Sequence, residues 1–291
     1  MRKFIPSVLL ILIFATGAHA QLELGLLVGG ANYTGDLSNN SSSLYWGETH
    51  LAGGLFGRYN ISPLLTVRGA FMYGAVSGTD ANSDAIALQQ RNLSFRSDLF
   101  EFSVTGEVNL PGFDPYNFSQ PVSPYLFVGV GGVHMNPTAE YDGERIPLQP
   151  LGTEGQGQSI NSQPIQPKYN QLQFIVPFGL GIKVAVAENI NVGLEVGARY
   201  LASDYLDDVS GTYVSTADLL EAPNPLTPIL ADRTNELPGV SVERQTGDPR
   251  GDAKATDWYY VGGLTLSYNF LDTGLVRGRT RRKKGIGCRI W

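Results

Sequence analysis

Side-chain alternation is the feature that constrains this chain most, and it is clearest between Thr256 and Phe270. Read in twos, that stretch puts Trp258, Tyr260, Gly262, Leu264, Leu266, Tyr268 and Phe270 on one face. Tyr259, Val261, Gly263, Thr265, Ser267 and Asn269 fall on the other. Successive side chains of a strand point to opposite faces, so this is a strand with one aromatic-aliphatic face and one mostly small or polar face. Aromatic residues at both ends suit a strand that crosses two membrane interfaces.

Seven further segments alternate in the same way: Leu22–Asn32, His50–Tyr59, Leu64–Ser77, Leu93–Leu110, Val122–Met135, Leu172–Val186 and Ile190–Leu201. The connections two, four and six are short (Asn60–Pro63, Pro111–Pro121, Ala187–Asn189), whereas the others are long, the last running from about Ala202 to Ala255. No apolar run approaches the ~20 residues of a spanning helix. A closed barrel is the other structure that satisfies its backbone inside a membrane. Short turns on one side and long loops on the other predict an eight-stranded antiparallel transmembrane barrel over residues 21–270, with turns periplasmic and loops extracellular. The ending Gly263-x-x-Leu266-x-Tyr268-x-Phe270 resembles the terminal-strand signal of bacterial outer-membrane barrels.

Residues 1–20 read as a cleaved signal peptide: Arg2 and Lys3, an apolar run from Val8 to Phe14, then Ala18-His19-Ala20. The net charge of −6 hides an asymmetry. The predicted barrel is acidic, whereas residues 271–291 carry Arg277, Arg279, Arg281, Arg282, Lys283, Lys284 and Arg289 against Asp272 alone. A segment of this kind reads as an interaction tail, and an even strand number puts it in the periplasm. Its basic residues and Trp291 are candidate partner contacts; the alternative is a solvated tail or one that touches anionic membrane surface. Cys288 is the chain's one cysteine, so an exported protein would carry it as an intermolecular disulfide or as a free thiol.

Facing follows from the alternation. Phe174, Phe178, Leu180, Ile182, Val192, Leu194 and Val196 are expected to face lipid. Glu23, Arg58, Arg68, Glu101, Glu107, Lys183, Glu195 and Arg199 are expected inside. An eight-stranded barrel is only wide enough for side chains, so these charges should pair and plug the lumen rather than line a conduction path. The stretch from Tyr125 to Met135 is apolar on both faces and gets no orientation from its pattern. The long connections look polar, with little to pack in Asn136–Gln171 and a short helix over Ser215–Glu221 capped by Ser215.

Chemistry is hard to find. His50 and His134 have no third ligand at metal-site spacing, and no nucleophile-base arrangement is evident. Asp207 and Asp208, adjacent on a long loop, suit solvation. The expectation is a non-enzymatic protein without metal or cofactor, a small-molecule substrate or a nucleic-acid partner.

Four stretches together resemble the PorG family of Bacteroidota outer-membrane proteins, components of type IX secretion. They are Ala31-Asn32-Tyr33-Thr34-Gly35-Asp36-Leu37, Leu148 to Gly157, Asp204-Tyr205-Leu206-Asp207-Asp208-Val209-Ser210, and the basic tail with Cys288. The resemblance implies an OmpA/OmpX-like barrel in the outer membrane that anchors a periplasmic ring built from the PorK lipoprotein and PorN. A surface barrel of the OmpX type, acting in adhesion or defence through its acidic loops, is the alternative.

Overall fold

A computed structural model describes residues 21–38, 45–113, 121–158, 165–187, 189–240 and 242–270. Nine strands form one antiparallel sheet: β1 Gln21–Thr34, β2 His50–Asn60, β3 Leu65–Thr79, β4 Ser94–Asn109, β5 Val122–Tyr141, β6 Glu144–Pro147, β7 Leu172–Ala187, β8 Ile190–Leu201 and β9 Trp258–Phe270. Eight of them close a barrel, with β1 pairing to β9 from Leu22↔Phe270 to Thr34↔Trp258, and β4 pairing to β5. Closure pairs both edges of the sheet, which is how a strand structure survives in hydrocarbon. The eight-stranded reading is thus borne out, with strand ends shifted by a few residues at most in seven of the eight.

The barrel turns its apolar side chains outward and its polar ones inward. Leu24, Leu26, Val28, Leu264 and Leu266 are exposed along the β1/β9 seam, while Glu23, Thr265, Ser267 and Asn269 are buried beside them. A water-soluble protein rarely exposes so continuous an apolar surface. Aromatic residues mark both rims: Tyr268 packs edge-on against Phe270 at one end, and Trp258 against Tyr200 and Phe178 at the other.

β5 now has an orientation. Leu126, Val128 and Val130 face outward, whereas Tyr125, Phe127, Val133 and Met135 are buried inside. Both faces are apolar because the interior side serves as ring platform and plug.

The connection after β5 departs from the expected unpacked loop. β5 continues to Tyr141, reverses through Asp142 and Gly143 at positive φ (51° and 78°), and returns as β6 with Tyr141 opposite Glu144. A two-residue turn with both φ values positive matches the right-handed twist of the strands it joins. Beyond it Leu148 and Leu151 are buried in one apolar cluster with Leu206, Val209 and Leu230 of the connection after β8. The long connections therefore fold down as a cap. Among the described residues they contain three short α-helices: α1 Ile86–Arg91, α2 Thr216–Leu219 and α3 Leu226–Ala231. Ser215 caps α2, its hydroxyl accepting from the Asp218 backbone N–H at 3.2 Å.

Candidate functional site

Two buried assemblies stack along the barrel axis. Inside the wall, Arg58 of β2 is the hub. Its Nη1 donates to Glu23 Oε1 at 2.7 Å, its Nε to Glu107 Oε1 at 2.9 Å, and its Nη2 to the Tyr125 hydroxyl at 3.3 Å. Lys183 Nζ holds the other Glu107 oxygen at 2.5 Å. Arg68 forks onto both oxygens of Glu195, which also accepts from the Tyr125 hydroxyl at 2.6 Å. Nearer the outer mouth, Glu101 accepts from Arg199 Nε at 3.2 Å and from the Tyr259 hydroxyl at 2.9 Å. All eight charged residues expected inside are buried. Arg58 lies over the Phe56 ring at 4.3 Å and Arg68 over Phe127 at 4.9 Å, so each cation also has an aromatic face.

The network is sealed at both ends. Towards the short turns, buried Asn109 donates to Thr66 and Thr66 to Asn60, buried Asn191 and Asn269 bond each other, and Phe113 folds in beneath the Lys183 ammonium. Towards the long loops, Leu99, Val133, Met135, Ile175, Leu201 and Val261 form an apolar layer, each no more than 2% exposed. An ion leaving the charge network for the outside would have to cross that layer, at the cost of its hydration.

Above the layer sits the cap, where the three loop motifs singled out in the sequence converge. Asp207 and Asp208 are buried, 1% and 0% exposed, which corrects the expectation that they are solvated. Tyr33 at the tip of β1 donates its hydroxyl to Asp207 Oδ2 at 2.5 Å and lies 3.1 Å from Asp257 Oδ1. Asp208 accepts from the Thr153 hydroxyl at 2.5 Å and the Tyr169 hydroxyl at 2.6 Å. Glu154 accepts from the Ser210 N–H and pairs with Arg250 Nη1, both at 3.0 Å. Arg91 at the end of α1 clamps Asp80 through two bonds and donates to the carbonyls of Asp36 and Arg250. These anchors span separate loops and the rim, and the pairing of buried groups such as Asp207 with Tyr33 and Glu154 with Arg250, distant in sequence, is what the chain's linear pattern hides.

Burial dominates the acid-base state of the cap. It raises the Asp208 carboxyl to about 6, against the opposing pull of Arg250. Asp207 and Asp257 are held well above the ordinary carboxylate range, by burial first and then by a neighbouring carboxylate, Asp36 for the former and Asp207 for the latter.

His50 and His134 do not come together: His50 bonds Ser77 at 2.6 Å and Arg96 at 3.2 Å, whereas His134 is exposed. Arg277, Arg279, Arg281, Arg282, Lys283, Lys284, Cys288, Arg289 and Trp291 lie outside the described residues, as does the segment read as a signal peptide.

A closed eight-stranded barrel with an apolar exterior and a filled interior defines an outer-membrane barrel. The family described as Domain of unknown function (DUF6089) matches residues 2–145. No curated protein matches the sequence. Among solved structures, the chain is similar to Ail, the attachment invasion locus protein of Yersinia pestis (10% identity, TM-score 0.39, covering 86% of this chain and 99% of Ail). It is also similar to the N-terminal barrel of Pseudomonas aeruginosa OprF (12% identity, TM-score 0.36, covering 86% and 99%). Neisserial surface protein A is a third (10% identity, TM-score 0.38, covering 87% and 98%).

Proposed function

We propose that this protein is a non-enzymatic, non-conducting outer-membrane barrel that holds a periplasmic assembly at the membrane through its basic tail. The observation that carries the reading is the direction in which β9 ends. Phe270 pairs with Leu22, beside the Asn60–Leu65 and Ala187–Ile190 turns, so the chain reaches its basic segment at the short-connection end. In an outer-membrane barrel that end faces the periplasm. The filled lumen supports the same reading, because it leaves no passage for cargo or solute. Basic residues would steer the tail to an acidic protein face, Trp291 would bury a large apolar surface there, and Cys288 would stand ready to lock the contact. The resemblance to PorG proteins makes the ring of type IX secretion, with its PorK- and PorN-like components, the candidate partner.

Truncation after Leu271 tests this. The barrel should still reach the outer membrane and fold, but it should no longer co-purify with the periplasmic ring, and secretion should stop. Co-purification at the full-length level with secretion intact would refute tail docking. Adhesion through the cap is the second reading, favoured by Trp46, Ile86 and Leu220, which stand exposed on the long connections. Binding to a surface that survives truncation but not replacement of those loops would favour it.

A further inference from the structure

The contact between Tyr33, Asp207 and Asp257 has a proton count that ordinary ionisation does not satisfy. The Tyr33 hydroxyl oxygen is 2.5 Å from Asp207 Oδ2 and 3.1 Å from Asp257 Oδ1. A phenol carries one hydrogen, and a carboxylate only accepts. With both aspartates ionised, one of these two contacts would bring together oxygens that have no hydrogen between them. The remaining carboxylate oxygens are already engaged: Asp207 Oδ1 accepts from the Val209 N–H at 2.9 Å and Asp257 Oδ2 from the Leu206 N–H at 2.8 Å. Each carboxyl is therefore held in place and cannot turn away. All three side chains are almost completely buried, so repulsion between two ionised carboxylates would be little screened.

The charges around the cluster do not relieve it. Asp36 of the first long connection and Asp204 of the last add negative charge, Asp204 being itself pushed up to about 7 by burial and its acidic neighbours. Arg91 of α1 is the cation facing Asp207, yet its guanidinium is bonded to Asp80 and to two carbonyls. Arg250 is committed to Glu154, to the Asp208 carbonyl and to that of Ala231.

We propose that Asp207, Tyr33 and Asp257 retain one carboxyl proton between them at neutral pH, and that this proton latches the last long connection onto the barrel rim. Tyr33 is the penultimate residue of β1 and Asp257 precedes β9, so the cluster sits across the seam where the barrel closes. Asp207 carries the Leu206–Val209 turn of the cap to it. With the proton in place, one carboxyl donates to the Tyr33 oxygen while the hydroxyl donates to the other. Without it, one contact turns repulsive. The direction follows from linkage. An acid whose folded-state affinity for the proton exceeds its unfolded one stabilises the fold below its unfolded pKa of ~3.9, and that contribution is lost as pH rises towards the folded value. Alkaline conditions therefore loosen the cap.

The test is amide hydrogen exchange at Leu206 and Val209 in the full-length protein in lipid bilayers, corrected for the intrinsic pH dependence of exchange. Wild-type protection is expected to fall at least about tenfold from pH 6 to pH 10, the equivalent of about 1.4 kcal/mol. In an Asp204→Asn background, which removes that group's own titration near 7, Asp257→Asn leaves an amide that can accept from Leu206 and donate to Tyr33, so protection should change by no more than about twofold. Asp207→Asn in the same background should behave alike through Val209, which covers the case in which one variant fails to fold. Asp204→Asn removes a neighbouring titrating group and should keep the wild-type fall. Constant protection in the wild type would overturn the proposal. So would a fall of wild-type size in both the Asp207 and Asp257 variants, or its disappearance in Asp204→Asn.

Discussion

Replacing Arg58 by methionine isolates what the interior network contributes. Arg58 touches three carboxylates, but they depend on it unequally. Glu107 would keep Lys183 at 2.5 Å and Arg68 at 3.4 Å, and Glu195 would keep Arg68 and the Tyr125 hydroxyl. Glu23, 0% exposed, has Arg58 as its one ion-pair partner among the described residues. The cost should therefore concentrate at Glu23. Breaking a buried pair by removing one partner destabilises by about 3–5 kcal/mol, because the other charge stays buried without compensation. Arg58→Met should lose that much in urea unfolding from lipid vesicles, followed by intrinsic tryptophan fluorescence. Adding Glu23→Gln removes the stranded charge and should restore all but about 1–2 kcal/mol, the scale of the ordinary hydrogen bonds that remain broken. Adding Glu107→Gln instead should restore nothing, since Glu107 is still paired and its loss strands Lys183. A loss below about 1 kcal/mol in the single variant, or equal recovery from either second substitution, would refute the assignment of Arg58 as the partner on which Glu23 depends.

Two further outcomes follow from the architecture. Cysteines introduced at Trp46, 83% exposed on a long connection, and at Pro111, exposed in a short one, should react differently with an impermeant reagent on whole cells: labelling at Trp46 and none at Pro111, with the reverse pattern inverting the topology. Gly143 turns the β5–β6 hairpin at φ 78°, where an L side chain costs about 1–2 kcal/mol, so Gly143→Val should speed amide exchange from Thr138 to Ile146 and leave unfolding of the barrel unchanged.

The wall of this protein is legible in its sequence because a period of two survives wherever one side meets lipid and the other a filled lumen. That is why Arg58, Arg68, Glu101, Glu107, Lys183, Glu195 and Arg199 sort to the inside from pattern alone. The period fails at β5, where Tyr125 and Phe127 put rings under cations and Val133 and Met135 join the apolar plug. It has nothing to say about the cap. Tyr33 and Asp207 are 174 residues apart, and Arg91 and Arg250 are 159 apart, so a run of aspartates on a long loop reads as solvated until its partners arrive from elsewhere. The Asp142-Gly143 pair does carry a hairpin signal, but Pro137 and the polar composition around it conceal the strand continuation.

Single-channel recording of the purified full-length protein in planar bilayers tests the filled barrel most directly. Eight strands leave no aqueous channel. The apolar layer from Leu99 to Val261 closes what the charge network leaves. The expected trace is a silent membrane with no stable open state at either polarity, across neutral and alkaline pH. Loosening the cap exposes the outer mouth but leaves that layer in place. A reproducible conductance of porin size would contradict the plugged lumen, and with it the reading of this barrel as an anchor rather than a pore.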